Sequence, residues 1–540
     1  MFSKPPFHLK AAIVLCLFAA SALIIGIYRL ALHPLAHHPG PLLGALTNWY
    51  TIYWLLNGQR HLNLYRQHAR YGKIVRYSPS RISINSPEAS DDLYHVKANA
   101  FKADFYAVAK SLFGADMSQT TVDKKKHAFR RRVNMTALTP TAVKGYGGQI
   151  ATHVDELMRQ LSERASTKPD NQGWGPPENV SKSFAYCIAD IMGCLTFGQS
   201  WNTQRSGQYR KIVEDGPLGV AGMIFLGHRQ GLVRWNLHKV LFKDLVDGIS
   251  NLTNTAAAWA DWREKQHNLP YRDIWAALLE ARDPQSGEPF TREELVSEAT
   301  TLITAGSDTM VTASCATMFY LVRNPSALSR LSQEIRNVYP LVPGSASECP
   351  IEFASKELQS IAFLVACIDE AMRLSPPVAS ILPRTAGPGG IVVDSEFFPE
   401  GTTLGVPHYV LHRDPNTFPE PHSFIPERWM NEVQEQTSTE KPEAGHSEHL
   451  KAGTGLARGY TPFGVGRGSC IGKHLAYQEI SYIIARLLWE FDVRSAPGYM
   501  ATQENGSPLT WRGDEFRTKD RFVSSQEGPI LQLRHRQKGQ

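Results

Sequence analysis

The chain has 540 residues and a net charge of +6, from 57 Lys plus Arg against 51 Asp plus Glu. With 42% hydrophobic, 10% aromatic and 20% charged residues, it has ample material for a large core, which excludes a disordered, collagen-like or coiled-coil chain as its main theme. The charge excess is mild for this length and does not point to nucleic acid; seven cysteines without CxxC pairs exclude a disulfide framework and a zinc module, and suit a reducing compartment.

Residues 11–28 (AAIVLCLFAASALIIGIY) carry no charge and are flanked by Lys10 and Arg29. At ~1.5 Å per residue against a hydrocarbon core of roughly 30 Å, the segment meets the lower limit of a membrane-spanning helix. A cleaved signal peptide is the competing reading, with Ala20-Ser21-Ala22 as its cleavage site. The apolar run continues past that point to Tyr28, which favours an uncleaved anchor behind a short tail of residues 1–10. Lys4 and Lys10 precede the segment and Arg29 follows it, so the positive-inside count puts the N-terminus in the cytosol. Residues 29–44 hold the cluster His37-His38-Pro39-Gly40-Pro41, which cannot continue a helix and reads as a stiff hinge.

The remainder, residues 45–540, reads as one large body, mainly α with a minor β portion. Residues 73–85 alternate around Ser78-Pro79-Ser80 and predict a β-hairpin. Helical periodicity runs through 145–163, 291–322, 356–374 and 471–491, and short strands are expected in 391–406 and 529–533. Residues 431–459 are polar and aperiodic, as in a surface loop.

The richest segment is 462–472, PFGVGRGSCIG. Its glycines allow a tight backbone and close approach to a flat ligand. An apolar stripe from Ile471 to Phe491 starts a helix just after Cys470, so the positive helix end favours a Cys470 thiolate, a good iron ligand. Taken alone, a cysteine in a glycine-rich loop is more often inert packing.

The whole segment resembles the haem-binding signature of the cytochrome P450 family, F-G-x-G-x-R-x-C-x-G. Here it reads F-G-V-G-R-G-S-C-I-G. The family's arginine is Gly468, and Arg467 stands one position earlier as the candidate to reach a haem propionate in its place. The resemblance makes Cys470 the axial ligand of haem b and puts Phe463, Gly464 and Gly472 around the cofactor.

Three further motifs fit the same family, in order. Ala305-Gly306-Ser307-Asp308-Thr309 resembles its oxygen-activating turn. Gly306 then leaves room over a flat cofactor, and Asp308 and Thr309 form a proton-delivering acid–alcohol pair, the hydroxyl disturbing the helix ladder and holding a water. The bland reading is a kink with a solvated Asp. Glu370-Ala371-Met372-Arg373, with Arg428 in Pro426-Glu427-Arg428-Trp429, resembles the family's buried Glu–Arg–Arg network, structural rather than chemical. Residues 124–132, KKKHAFRRR, put His127 and Arg131 on one helix face. The resemblance makes both propionate ligands, together with Arg384, while the lysines, Arg130 and Arg132 face outward as a docking surface for an acidic reductase.

The resemblance implies a haem-thiolate monooxygenase fed by NADPH-cytochrome P450 reductase, with cytochrome b5 as a second donor, since no strand–GxGxxG–helix unit is present. It also implies an endoplasmic-reticulum anchor with a cytosolic body, opposite to the charge count. The pocket draws on 100–122, 210–236, the helix near Ala305, 376–382 and 514–522, and the apolar runs 223–226 and 376–382 suit a lipophilic substrate. The chain looks most like filamentous-fungal members that tailor terpenoids, polyketides or alkaloids. The alternatives are an electron-independent haem-thiolate isomerase or dehydratase, and a non-catalytic membrane haem sensor.

Overall fold

The computed structural model describes residues 7–266, 271–341, 349–430, 458–499 and 512–536. Most of the expected polar loop at 431–459 lies outside the described residues.

Helix α1 (Phe7–Ile27) continues through a π-helical turn, Tyr28–Leu32, so the apolar element is longer at both ends than the uncharged run. Within it, Lys10–Leu32 is long and apolar enough to cross a membrane. Arg29 does not end the helix because its charge is occupied: Nη1 donates to the Leu46 carbonyl at 2.5 Å. The stop comes at Pro34, and His33 before it is extended (ψ 140°). The following segment is packed, not loose. Leu35 is 1% exposed, and the Arg76 N–H donates to the Pro39 carbonyl at 2.8 Å. Gly40 permits this approach, since a Cβ there would lie 2.1 Å from the Arg76 carbonyl oxygen.

A five-stranded sheet leads the body. In chain order its strands are β1 (Ile74–Ser78), β2 (Arg81–Ile84), β3 (Ala100–Lys102), β4 (Arg384–Ala386) and, after the hairpin β5 (Ile391–Val393) and β6 (Glu396–Phe398), β7 (Thr403–Gly405). The spatial order is β1-β2-β7-β4-β3, antiparallel except for the β2–β7 pair. The hairpin expected at 73–85 and the short strands of 391–406 are both present.

Most of the remainder is helical, and the helices that position the site include α2 (Lys124–Ala137), α3 (Gly147–Ala165), α4 (Val180–Phe197), α5 (Arg210–His228), α6 (Arg292–Arg323), α7 (Ala362–Leu374) and α8 (Lys473–Glu490). The fold is mainly α with a minor β portion. The expected helix at 356–374 is split at Ser360, whose hydroxyl donates to the Glu357 carbonyl at 2.7 Å and competes with the ladder. Strand β8 (Phe491–Ser495) follows α8 and pairs with β11 (Ile530–His535), while β9 (Thr518–Arg521) and β10 (Val523–Gln526) form a hairpin.

The 32-residue α6 is the spine. Thr291 and Glu294 form a capping box at its start. Phe184 and Ile188 of α4, Met318 and Phe319 of α6, Phe363 and Ile368 of α7, and Ile483 and Leu487 of α8 meet in one core, each 0% exposed. Truncating such a side chain as Phe319 to Ala costs about 3–5 kcal/mol. This core sets α6 and α8 in fixed relation, and the residues that matter chemically lie on α6 and just before α8.

Candidate active site

The loop before α8 is tightly determined. Gly464 (φ +66°) and Gly466 (φ +63°) are left-handed, and a Cβ on Gly466 would lie 2.0 Å from the Tyr94 carbonyl oxygen. The Cys470 N–H donates to the Phe463 carbonyl at 2.7 Å, which closes the loop. Gly472 caps α8, and a Cβ there would stand 3.8 Å from the Cys470 sulfur. Cys470 keeps open surface. One side of the residue is open, yet the protein packed around the sulfur desolvates it and pushes its thiol up, against the N–H groups of Gly472 and Lys473 and the charges of Arg131 and Lys473, which pull it down. The helix-start effect expected from the sequence is present but outweighed. A metal cation on the sulfur reverses that balance, because a coordinating thiol is deprotonated outright.

Beside this loop a half-open cavity is lined by Lys102, Lys124, His127, Arg384, Arg467 and Gly468, with no acidic residue in its lining. Lys102 on β3 lies directly opposite Arg384 on β4. The Lys102 ammonium donates to the carbonyls of Ser118 (2.8 Å) and Gln119 (2.7 Å). Burial, then the Arg384 charge, lowers it to about 7. His127 is pushed to about 3 by burial and by the charges of Lys102, Arg131, Arg384 and Arg467, so it is neutral. So many half-buried cations without an acid make a site for anions. The two propionates of haem b fit this donor set, with the cysteine sulfur on the adjoining loop. Lys102 was not among the sequence candidates, because only the β3–β4 register shows that it faces Arg384.

On the rest of α2, the outward-facing expectation changes for Arg130 and Lys124, while Arg131 shows a contact the sequence does not reveal. Arg131 is directed at the cysteine loop, donating to the Ser469 carbonyl at 2.5 Å and to Ser469 Oγ at 3.0 Å, and is absent from the cavity lining. Arg130 does not face outward. It is 2% exposed and pairs with Glu294 and with Glu298 (2.8 Å) of α6. Lys124 is likewise held inward, its ammonium 3.8 Å from the centre of the Phe101 ring. Lys125, Lys126 and Arg132 remain exposed. Helical periodicity cannot show that a cation on the apparent outer face meets an acid from another helix.

On α6, Asp308 and Thr309 sit in unbroken helix. The Thr309 hydroxyl donates to the Ala305 carbonyl at 2.7 Å, the back-bond by which a threonine competes with the ladder, and the helix runs on through it. Burial raises Asp308 from 3.8 to about 7. Gly306 serves helix packing: a Cβ there would lie 2.6 Å from Met192 Cε of α4. An apolar cluster joins Phe105 and Tyr106, Ile224 to Leu226 of α5, and Phe522 of the β9–β10 turn, with Leu382 packed against it. Segments from four of the five expected pocket regions thus meet.

Glu370 of α7 is fully buried and accepts from Arg373 (both contacts 2.8 Å), Arg428 (3.1 Å) and the Trp429 indole (3.0 Å). Arg373 also donates to the carbonyls of His412 (2.8 Å) and Pro421 (2.7 Å). This network joins α7 to the segment that leads towards the cysteine loop.

The family model for cytochrome P450 matches residues 34–512. The chain belongs to the cytochrome P450 family. It is 31% identical over 538 residues to cytochrome P450 monooxygenase poxM of Penicillium oxalicum, covering 99% of this chain and 97% of that one. Similar relatives are cytochrome P450 monooxygenase atnE of Emericella nidulans (30% identical, 95% of this chain and 94% of that one) and apf7 of Gibberella fujikuroi (31%, 96% and 97%). As a cytochrome P450 it is a haem-thiolate monooxygenase that takes electrons from a reductase and acts on a lipophilic substrate. Its N-terminal apolar helix suits the membrane anchor of microsomal members.

Proposed function

We propose that Cys470 is the axial ligand of haem b and that His127, Arg384, Lys102 and Arg467 hold its propionates, with Phe463, Gly464 and Gly472 shaping the loop around the sulfur. The observation that carries this reading is the acid-free cationic cavity beside a loop whose cysteine keeps open surface. Bound there, haem b supplies dioxygen binding and O–O cleavage, which thiolate ligation favours. Asp308 holds a proton at its carboxyl near neutral pH, and Thr309 presents a hydroxyl oxygen whose own proton is engaged by Ala305. The pair supplies and orients the protons that oxygen activation consumes. Arg131 fixes the residue before Cys470, and Glu370, Arg373 and Arg428 brace the same loop.

Residues 45–540 act as one catalytic body. The substrate is a lipophilic small molecule of fungal secondary metabolism, a terpenoid, polyketide or alkaloid, received by the Phe105–Phe225–Phe522 cluster. Electrons come from NADPH-cytochrome P450 reductase, with cytochrome b5 as a second donor, docking on a basic patch reduced to Lys125, Lys126 and Arg132. That supply requires the body on the cytosolic face of the endoplasmic reticulum. The preference over the lysine count rests on reductase access and on free cysteines throughout the chain. Protease protection of the body in sealed microsomes would contradict this orientation.

The direct test is the absorption of the reduced carbon-monoxide complex. The intact protein should give the red-shifted thiolate-type Soret band, and Cys470→Ala should lose it. Survival of the band in that variant means another ligand.

A further inference from the structure

Helix α7 carries two adjacent acids, and the network of Glu370 leaves Asp369 out. Asp369 turns to the cysteine loop instead. Its Oδ1 accepts the phenol protons of both Tyr460, at 2.9 Å, and Tyr477. Tyr460 lies ten residues before Cys470 and Tyr477 seven after it. Both flanks of the loop are therefore tied to one oxygen atom, and all three side chains are buried.

The tie reaches the sulfur's own surroundings. The Tyr477 ring packs against Phe463 at 5.2 Å between centroids, and Phe463 supplies the carbonyl that accepts from the Cys470 N–H at 2.7 Å. Lys473, three residues past the cysteine, stands over the same Phe463 ring at 5.6 Å. Burial lowers its ammonium, and the Asp369 carboxylate acts against that lowering. A carboxylate, a cation and the cysteine are thus gathered around Phe463.

A tether alone does not require an acid. A neutral asparagine oxygen accepts two phenols equally well, and burying a carboxylate costs more. The charge itself asks for a role. We propose that Asp369 is a positioning residue for the axial sulfur: it holds both flanks of the loop, and its charge, opposed by Lys473, sets how strongly the sulfur donates to the metal. The proposal rests on Cys470 being the ligand. It adds an electrostatic control on the proximal side, distinct from the Glu370 brace.

Removing a negative charge near a metal centre makes an added electron easier to accept, and removing a positive one makes it harder. The test uses the full-length haem-loaded protein, reading the iron reduction potential and the carbon-monoxide spectrum. Asp369→Asn should shift the potential positive and Lys473→Met should shift it negative, with haem retained in both. A purely structural role changes haem content and melting temperature, but leaves the potential of the loaded fraction unmoved. An Asp369→Asn protein with the parent potential and spectrum overturns the proposal. If that variant does not load haem, Lys473→Met decides: a negative shift supports the proposal and no shift overturns it. A missing thiolate-type band in the parent protein overturns the Cys470 assignment itself, and this proposal with it.

Discussion

Lys102 and Arg384 face each other directly across the β3–β4 strand pair, two cations on one wall of the same cavity. Like charges at facing strand positions repel, and at these half-buried positions water screens them only in part. An anion between them converts the repulsion into two charge-assisted hydrogen bonds. Lys102→Met should therefore have opposite effects in the two states. The haem-free protein should melt higher. The loaded protein should lose one such bond, worth about 1.5–3 kcal/mol, and release haem roughly ten- to a hundredfold faster to a haem-scavenging protein. Release at the parent rate would show that Lys102 does not hold a propionate.

Gly468 stands where the family pattern has arginine, and a Cβ there would lie 2.8 Å from Arg384 Nη2. The Arg384 fork already occupies the space that an arginine at 468 needs. Gly468→Arg, a return to the family pattern, should thus lower haem occupancy. Adding Arg384→Ala should recover part of it, a non-additive outcome read from a double-mutant cycle. If Gly468→Arg raises occupancy by itself, the two positions do not compete.

The legible parts of the molecule were those written in local pattern. The β-hairpin at 73–85, the long α6 and the helix after Cys470 follow from periodicity and turn residues. The cysteine loop follows from its glycines. What escaped were partners distant in sequence. Lys102 sits in a three-residue strand whose meaning depends on register. Arg130 looked like one more surface cation until α6 brought Glu294 and Glu298 to it. Gly306 suggested space for a cofactor, yet the space is taken by Met192 from α4, more than a hundred residues earlier. Local pattern fixes an element's type, while the use of each face is set by what packs against it.

Asp308 and Thr309 yield a prediction about electron use. With Asp308 raised to about 7 by burial, its carboxyl holds a proton below that pH and loses it above. Asp308→Asn and Thr309→Ala should both retain haem and raise the hydrogen peroxide released per NADPH consumed. In the parent, peroxide leakage should rise as pH climbs through about 7, and Asp308→Asn should flatten that dependence. Unchanged coupling in both variants would place proton delivery elsewhere.

Glu479, nine residues after Cys470 on α8, is 0% exposed, and neither of its carboxyl oxygens has a hydrogen-bond partner among the described residues. Burial raises it from 4.5 to about 8. An acid with a raised folded-state pKa binds its proton more tightly when folded, so its stabilising contribution is complete below the unfolded value. That contribution is lost as pH rises through the folded one, at up to ~1.4 kcal/mol per pH unit. The parent's melting temperature should consequently fall between about pH 4.5 and pH 8 relative to that of Glu479→Gln, which keeps the shape and cannot ionise. Above pH 8 the variant should be the more stable of the two, because the parent then carries an unpaired buried carboxylate. Parallel melting curves for the two proteins across this range would mean that Glu479 is either solvated or paired in solution.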